Sequence, residues 1–211
     1  LGTVTGCGNT GAVSGTDSAA RYVGGLVGES KGGSFTSCFN RGAITSPRTR
    51  TGAMVGGLVG NATDNTGRGT AITNCYNTGT VNVDANTTNY GAIAGWLYNT
   101  TVSGGYYLDT SCDKGAHYSS SSTDPTVSKT EAEMKSADFA VLLGDGFIYK
   151  NGGYPALAWQ IPTASVAFTL SPTDAVLTIN GGSYNGSCTV ELPQGDYTYT
   201  VARPGYGDKS G

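Results

Sequence analysis

Five cysteines and one histidine are the residues of this 211-residue chain best equipped for chemistry, and their spacing separates them into groups. Cys7, Cys38 and Cys75 occupy one recurring word, Cys-x-Asn-x-Gly-x-Val/Ile, at separations of 38 − 7 = 31 and 75 − 38 = 37 residues. Three thiolates suggest zinc, but metal ligands must converge on a point, whereas residues at equivalent repeat positions would stack into a ladder. Parallel Cβ vectors in such a ladder also leave the Cβ atoms too far apart for a disulfide. The expectation is free, buried thiols acting as small apolar fillers. His117 lies near Asp109, Cys112 and Asp113, a set with metal-binding or acid–base potential, yet it adjoins a serine run at 119–122 and no partner is fixed by spacing, so a solvated loop residue is expected. Asn61, Asp64 and Asn65 carry oxygen ligands suited to calcium, and the same residue types are ordinary turn formers, which is the preferred reading. Tyr106 and Tyr107 would offer a flat surface for sugar stacking, and one of them is expected to replace lost packing where the repeat fades. No catalytic, cofactor-binding or metal-binding residue is assigned.

These residues sit inside a larger periodicity. A second word, Val-Gly-Gly-Leu-Val-Gly, occurs at 23–28 and 55–60, with a decayed copy, Tyr-Gly-Ala-Ile-Ala-Gly, at 90–95. The two words alternate. A fading fourth copy begins at Val102, with Gly105 in the cysteine slot. Periods in the low thirties also occur in helical repeats, but the words are rich in β-branched residues and glycine and poor in helix formers. Each unit reads as about three short strands, over 35–40, 42–45 and 54–60 in the second copy, stacked on the equivalent strands of the next. Stacking at about 4.8 Å would build apolar ladders from Val4, Phe35, Ile72 and Val102, and from Leu26, Leu58 and Ile93. Asn9, Asn40 and Asn77 would form an amide ladder that satisfies turn backbone. The glycines fit corners that need positive φ or close backbone approach. Variation concentrates at 46–51, 61–69 and 84–89, where solenoids place loops on one face, often the binding face.

Gly-Gly-Leu-Val-Gly paired with Asn74-Cys75-Tyr76-Asn77-Thr78-Gly79 resembles the GLUG repeat of bacterial surface and secreted proteins, over about residues 1–160. The stretch from Asn151 to Gln160 resembles the usual end of such arrays. The resemblance implies a repeat-rich, adhesin-like surface protein. GLUG repeats also occur in some IgA-cleaving metallopeptidases, but no His-Glu-x-x-His motif stands in this chain.

Thr130-Glu131-Ala132-Glu133 has the form of a capping box, opening a helix that runs to about Leu143 and closes at Gly144, with Met134, Ala137, Phe139, Val141 and Leu142 as its apolar residues. Residues 129–162 are expected to cap the solenoid, whose last coil would otherwise expose strand edges. From Ala164 onward, alternating apolar residues and the Asn180-Gly181-Gly182 turn signal predict antiparallel strands. Leu192-Pro193-Gln194-Gly195-Asp196-Tyr197, followed by Gly205-Tyr206, resembles PEGA-type β-sandwich modules, in which a further strand follows the Gly-Tyr pair, so the module is expected to be truncated here.

Composition narrows the function classes. The chain has 34 glycines, 7 prolines, 13% charged residues and a net charge of −3. Lys and Arg are scattered, without the basic stripe that nucleic acid requires. No apolar run reaches the roughly 18 residues that span a membrane. Leu1 falls inside a repeat and Gly211 follows no terminal element, so any secretion signal or wall anchor is expected outside these residues, as are other domains of a longer chain. Asn-x-Ser/Thr sequons at Asn61, Asn86, Asn99 and Asn185 are near chance for this composition. The sequence is therefore read as all-β. Residues 1–128 are a right-handed parallel β-solenoid of about three strands per coil, 129–162 a helix-containing cap, and 163–211 a small β-sandwich-like module. The expected function is a non-catalytic extracellular spacer or display scaffold, contacting host protein, matrix or glycan through its variable loops and using no cofactor. The alternatives are a carbohydrate-active β-helix enzyme or an exosite module of a larger secreted protease. The enzyme would need paired carboxylates or a calcium cluster near a basic residue, and the acids Asp17, Glu29, Asp64 and Asp84 stand in separate turns.

Overall fold

The computed structural model describes residues 2–16, 20–47, 52–64, 70–118 and 125–211, which form two compact units, Leu1–Leu157 and Ala158–Gly211. The protein is predominantly β, and the first unit is a stack of coils joined by parallel pairing. The first coil holds β1 (Gly2–Thr5), β2 (Gly8–Asn9), β3 (Val13–Ser14), β4 (Tyr22–Gly24) and β5 (Val27–Lys31). The second repeats the order as β6 (Gly33–Thr36), β7 (Phe39–Asn40), β8 (Ile44–Ser46), β9 (Met54–Gly56) and β10 (Val59–Thr63). The third holds β11 (Thr70–Asn77), β12 (Val81–Val83), β13 (Asn89–Gly91) and β14 (Ala94–Tyr98); the fourth holds β15 (Thr100–Leu108) and β16 (Ala116–Tyr118). Equivalent strands pair into four parallel sheets, β1-β6-β11-β15, β3-β8-β12, β4-β9-β13 and β5-β10-β14-β16, with β2-β7-β11 continuing the first.

Each of the first three coils thus contributes to four sheets rather than three strands, and the fourth to two. The extra division falls inside the glycine word, where residues 54–60 make two strands, β9 and β10, separated by Gly57 and Leu58. The cause is packing around Gly57. A Cβ there would lie 1.9 Å from the Ala92 carbonyl oxygen and 2.6 Å from the Asn77 amide carbon, so only glycine lets the coils approach this closely. A second break follows from a column of left-handed residues before each cysteine slot: Gly6, Ser37, Asn74 and Gly104 have φ of 59°, 51°, 50° and 83°. The backbone bends there in every coil, and in the second coil the bend separates β6 from β7.

The ladders form in the expected register. Val4 pairs with Phe35, Phe35 with Ile72, and Ile72 with Val102. Leu26 N–H donates to Leu58 O and Leu58 N–H to Ile93 O, at 2.9 and 3.0 Å. Phe35, Leu58, Ile72 and Ile93 are buried in one cluster with Cys38 and Cys75. The asparagines form a continuous amide chain. Asn9 Nδ2 donates to Asn40 Oδ1, and Asn40 Nδ2 to Asn77 Oδ1, both at 2.8 Å. Each amide also closes its own turn: Asn77 Nδ2 donates to Gly79 O at 2.8 Å and Asn77 Oδ1 accepts from Gly79 N–H at 3.2 Å. Asn40 and Asn77 are fully buried.

After the fourth coil, β17 (Val127–Lys129) pairs in parallel with β15. The capping box at Thr130 is present, with Glu133 N–H donating to Thr130 Oγ1 and Thr130 N–H to Glu133 Oε2. The expected single helix is two, α1 (Glu131–Met134) and α2 (Ala137–Leu143). Ser136 divides them: its hydroxyl donates to Glu133 O and accepts from Phe139 N–H, capping α2 at the point where α1 ends. Met134, Phe139, Ala140 and Leu143 face the protein, whereas the apolar Val141 and Leu142 are exposed. The helices and the hairpin of β18 (Phe147–Lys150) and β19 (Gly153–Leu157) pack on Phe39, Tyr76 and Tyr106, three residues from successive coils. This segment therefore lies along the flank of the stack. Arg41 ties it down, donating to Tyr76 Oη at 2.5 Å and to Pro155 O at 2.6 Å, and Tyr76 Oη donates to Pro155 O at 2.6 Å.

In the second unit, β20 (Thr163–Phe168) pairs antiparallel with β23 (Cys188–Pro193), and β21 (Val176–Ile179) forms a hairpin with β22 (Gly182–Asn185). The hairpin turn is Asn180-Gly181, both at positive φ as the turn signal requires. β24 (Tyr199–Ala202) and β25 (Lys209–Ser210) complete the second sheet, so a short strand does follow the Gly205-Tyr206 pair.

Replacing Asn77 by Leu would strand the Gly79 N–H and C=O and the Asn40 amide in the interior. The expected loss is at least about 3 kcal/mol, at about 1–3 kcal/mol per orphaned group, read from urea midpoints. Burial pushes the Tyr76 hydroxyl up from 10.0 to about 12 against the opposing effect of Arg41. The folded state thus holds this proton more tightly than the unfolded chain. The stabilisation is fully present below pH 10 and is lost as pH rises through about 12. Urea titrations should show a drop of roughly 3 kcal/mol across that window, at about 1.4 kcal/mol per pH unit, and Tyr76→Phe should flatten that part of the profile.

Candidate functional site

Of the three variable segments, 84–89 is the one whose residues are all described, and it borders a groove of about 390 Å³. β12 supplies Val81, Asn82 and Val83 to one wall. The chain then turns at Asp84, whose Oδ1 accepts from Asn86 N–H at 2.9 Å and from Asn86 Nδ2 at 3.0 Å, the side-chain-closed turn that Asp favours. Asp84 N–H is anchored on Ser46 O at 3.1 Å and Thr87 N–H on Asp84 O at 2.9 Å, so the loop grows from the coil register itself. β13 brings back Tyr90. The fourth coil contributes Cys112 and Asp113, positioned because Val81 N–H donates to Ser111 O at 3.0 Å and Ala92 N–H to Lys114 O at 2.9 Å.

The groove side chains are cross-linked. Tyr90 Oη donates to Asp113 Oδ2 at 2.9 Å. Lys114 Nζ sits 3.8 Å from the centre of the Tyr90 ring and donates to Thr88 O at 3.2 Å. Burial, helped by the Asp113 carboxylate, raises the Tyr90 hydroxyl above its ordinary value, and burial likewise raises the Cys112 thiol. Thr87 is 7% exposed, and its Oγ1 is buried in the wall with no hydrogen-bond partner among the described residues. Among the described residues, this concave surface carries the Asp84 and Asp113 carboxylates, the Lys114 ammonium at its edge, an aromatic ring and two valines. It can accept hydrogen bonds from a ligand and cover an apolar face.

Asp113 was grouped in the sequence with His117, and the structure separates them. Asp113 turns to Tyr90, while His117 lies in β16 and stacks on Trp96 with ring centres 5.1 Å apart. His117 is thus a strand residue rather than a loop residue, and burial, then Lys114, lowers its pKa. Asp109 is exposed, with its N–H on Lys129 O. Asn61 and Asp64 are both buried, at 5% and 4% exposure, with Asn61 Nδ2 donating to Glu29 Oε1 at 3.1 Å; Asn65 lies outside the described residues. Tyr107 is 9% exposed in the main core and Tyr106 meets Phe139 edge-on at 5.4 Å, so both serve packing. Among the described residues, no group of three or more His, Cys, Asp or Glu side chains is placed to hold a metal. No helix among the described residues is long and apolar enough to cross a membrane.

The cysteine ladder stacks as in the register argument, with Cys38 N–H donating to Cys75 Sγ at 3.4 Å and Gly105 opposite Cys75. All five cysteines are free. Cys38 and Cys75 are fully buried, while Cys7, expected to be buried with them, is exposed on the outermost described coil. Contact with Cys38 and burial push the Cys75 thiol well above the usual range.

The convergence of Asp84 and Asp113 in one groove is the feature that the spacing of acids did not reveal. Part of a signal was present: continuing the coil register by 105 − 75 = 30 residues places 111 opposite 81, as the Val81 N–H to Ser111 O bond has it, but by Ala92, which bonds Lys114 O, the offset has changed. Residues 51–82 match the GLUG motif, a span that contains the second glycine word and the third cysteine word. No significant match to the chain is found among curated proteins or solved structures.

A thiol-reactive dye should label Cys7 at once in the native protein, and Cys38 and Cys75 only on the timescale of unfolding. Rapid native labelling of Cys75 by mass spectrometry would contradict its placement in the core.

Proposed function

We propose that residues 1–157 form a non-catalytic display scaffold of an extracellular, adhesin-like surface protein, contacting host protein, matrix or glycan through loops inserted between the repeat words. The observation that carries this reading is the constancy of the frame against the variability of the loops. Ladder pairings persist through separations of 31, 37 and 30 residues (Val4, Phe35, Ile72, Val102), so the frame keeps its register although the number of residues between pairs changes. The GLUG match and the sparse charge agree with a surface location. Within the same reading the coils wind right-handed, the rule for parallel β-crossovers. Residues 127–157 close the repeat: β17 covers the edge of β15, and the helices brace the Phe39–Tyr76–Tyr106 column. The second unit is a PEGA-like β-sandwich module.

One observation favours a second reading, a carbohydrate-active enzyme: two carboxylates and a lysine border one groove, the constellation such chemistry uses. Both readings are tested on the intact chain. On the scaffold reading, the protein is retained on immobilised matrix protein or glycan, and replacing 84–89 by a Gly/Ser loop removes retention while the melting temperature holds within a few degrees. Polysaccharides incubated with it release no reducing ends or unsaturated sugars. Release of product, abolished by Asp113→Asn, would replace the scaffold with the enzyme.

A further inference from the structure

We propose that β20 is a pairing edge through which two copies of this chain join their β20–β23 sheets, whatever the loops of the first unit contact. The edge is open. Among the described residues β20 pairs only with β23, and no turn or loop backbone bond reaches 163–168. In an antiparallel pair, alternate residues direct N–H and C=O away from the neighbouring strand, so β20 presents a row of unpaired backbone groups. Thr163, Ala164, Ser165, Val166 and Ala167 are all exposed. The edge is also undefended. Sheet edges are ordinarily blunted by charge, proline, a bulge or shortness. In this unit β23 carries Glu191 and Pro193, β25 has two residues including Lys209, and β22 has four. β20 has six residues, Thr-Ala-Ser-Val-Ala-Phe, in unbroken register with β23 and with none of these features.

The face beside the edge is incomplete. Ala164 and Val166 stand opposite Leu192 and Val190, so the four share the inner side of the sheet. Leu192 and Val190 are each 5% exposed, whereas Ala164 is exposed and Val166 is 36% exposed. The core of the unit therefore covers β23 and leaves β20 bare. A groove of about 440 Å³ lies there, lined by Pro162, Ala164, Val166, Leu192 and Tyr197 among others. Its end is held in shape, with Tyr197 Oη donating to Pro193 O at 2.6 Å and Gln194 N–H to Pro162 O at 2.9 Å. An added strand would satisfy the backbone groups and bring inward side chains beside this apolar surface, the two parts of recognition by strand addition.

The occupant follows from the strand itself. A two-fold pair needs a self-complementary patch. Antiparallel pairing of β20 with its copy about Ser165 sets Ala164 against the partner's Val166 on the inner side and Thr163 against the partner's Ala167 on the outer side. Small residues then meet β-branched ones, the inner faces stay on one side of the joined sheet, and no charge faces a like charge across the new ladder. Glu191 stays one strand back, accepting from Ser165 Oγ. A foreign strand would have to match this uncharged alternation, whereas a second copy carries it. One six-residue strand a side makes an interface of the small, transient class. Pairing doubles the loops that one assembly presents, which strengthens weak contacts without new ones.

The test is sedimentation of the intact chain over a concentration series, which should show a monomer–dimer equilibrium with Kd on the order of 0.1 mM. Ser165→Lys lies beside Glu191 within one chain but faces its own copy across the two-fold, and it should weaken the pair about tenfold. Ser165→Thr should leave it unchanged. In a Cys7→Ser background, Ser165→Cys should give a dimer with a short bis-maleimide, mapped to residue 165 by mass spectrometry. Thr163→Cys mixed with Ala167→Cys should cross-link where neither does alone. Circular dichroism melts establish that each variant is folded, and the unmodified chain's series with the Ser165→Cys cross-link carries the test if Ser165→Lys is not. A monomer at every concentration, a dimer indifferent to Ser165→Lys, or cross-links that map elsewhere would each overturn the proposal. So would a chain that stays monomeric yet binds an alternating Thr-Val peptide with protection of the β20 amides from exchange, since the edge would then serve a foreign strand.

Discussion

Backbone stacking on backbone at the spacing of one β-ladder is the constraint from which the rest of the first unit follows. Coils about 4.8 Å apart leave no room for mismatch, so every coil must repeat its neighbour atom for atom where they touch. The asparagine chain shows how strict this is. Asn40 and Asn77 have no contact with solvent, yet donor and acceptor atoms are matched both along the ladder and within each turn. A buried amide is tolerated only with its bonds made. A register slip of one residue would break these bonds in every coil at once, so the polar interior enforces the register that the apolar ladders merely favour. The glycines beside the asparagines serve the same end: Gly25 abuts Asn40 and Gly57 abuts Asn77, each at a distance that no side chain permits.

A stack of this kind is stable along its axis and open on its sides. The flank carrying Phe39, Tyr76 and Tyr106 is closed by α1, α2 and the β18–β19 hairpin, with Arg41 lying over the faces of Phe39 and Tyr154 and bonded to both Tyr76 and the hairpin backbone. This is an aromatic and hydrogen-bonded junction between elements far apart in sequence. It accounts for the burial of a tyrosine hydroxyl beside a half-buried guanidinium, because each satisfies the other.

The groove illustrates how such a frame gathers side chains from different coils without changing itself. Its walls come from a loop of the third coil and a connection of the fourth, brought together by the same parallel register that forms the core. Asp84 and Asp113 line one groove because Val81 is held on Ser111 on one side of it and Ala92 on Lys114 on the other. Chemistry placed in corresponding turns of successive coils is automatically juxtaposed, and a loop can vary freely because its ends are held by ladder hydrogen bonds such as Asp84 N–H to Ser46 O.

By itself the sequence determined the period, the β character, the ladders, the free thiols, the capping box and the Asn180-Gly181 turn, because each is written in adjacent residues or in repeats of them. It misjudged the number of sheets per coil, since the break at Gly57 arises from the Ala92 carbonyl and the Asn77 amide of other coils. It merged α1 with α2, since the helical pattern runs through Ser136 while the cap that divides them is a single hydroxyl. It placed His117 in a solvated loop, since the Trp96 ring that holds it lies one coil away. Tertiary structure decided the site. Whether scattered acids meet depends on the offset between coils, and that offset is fixed by contacts between residues some thirty positions apart, which local spacing does not display.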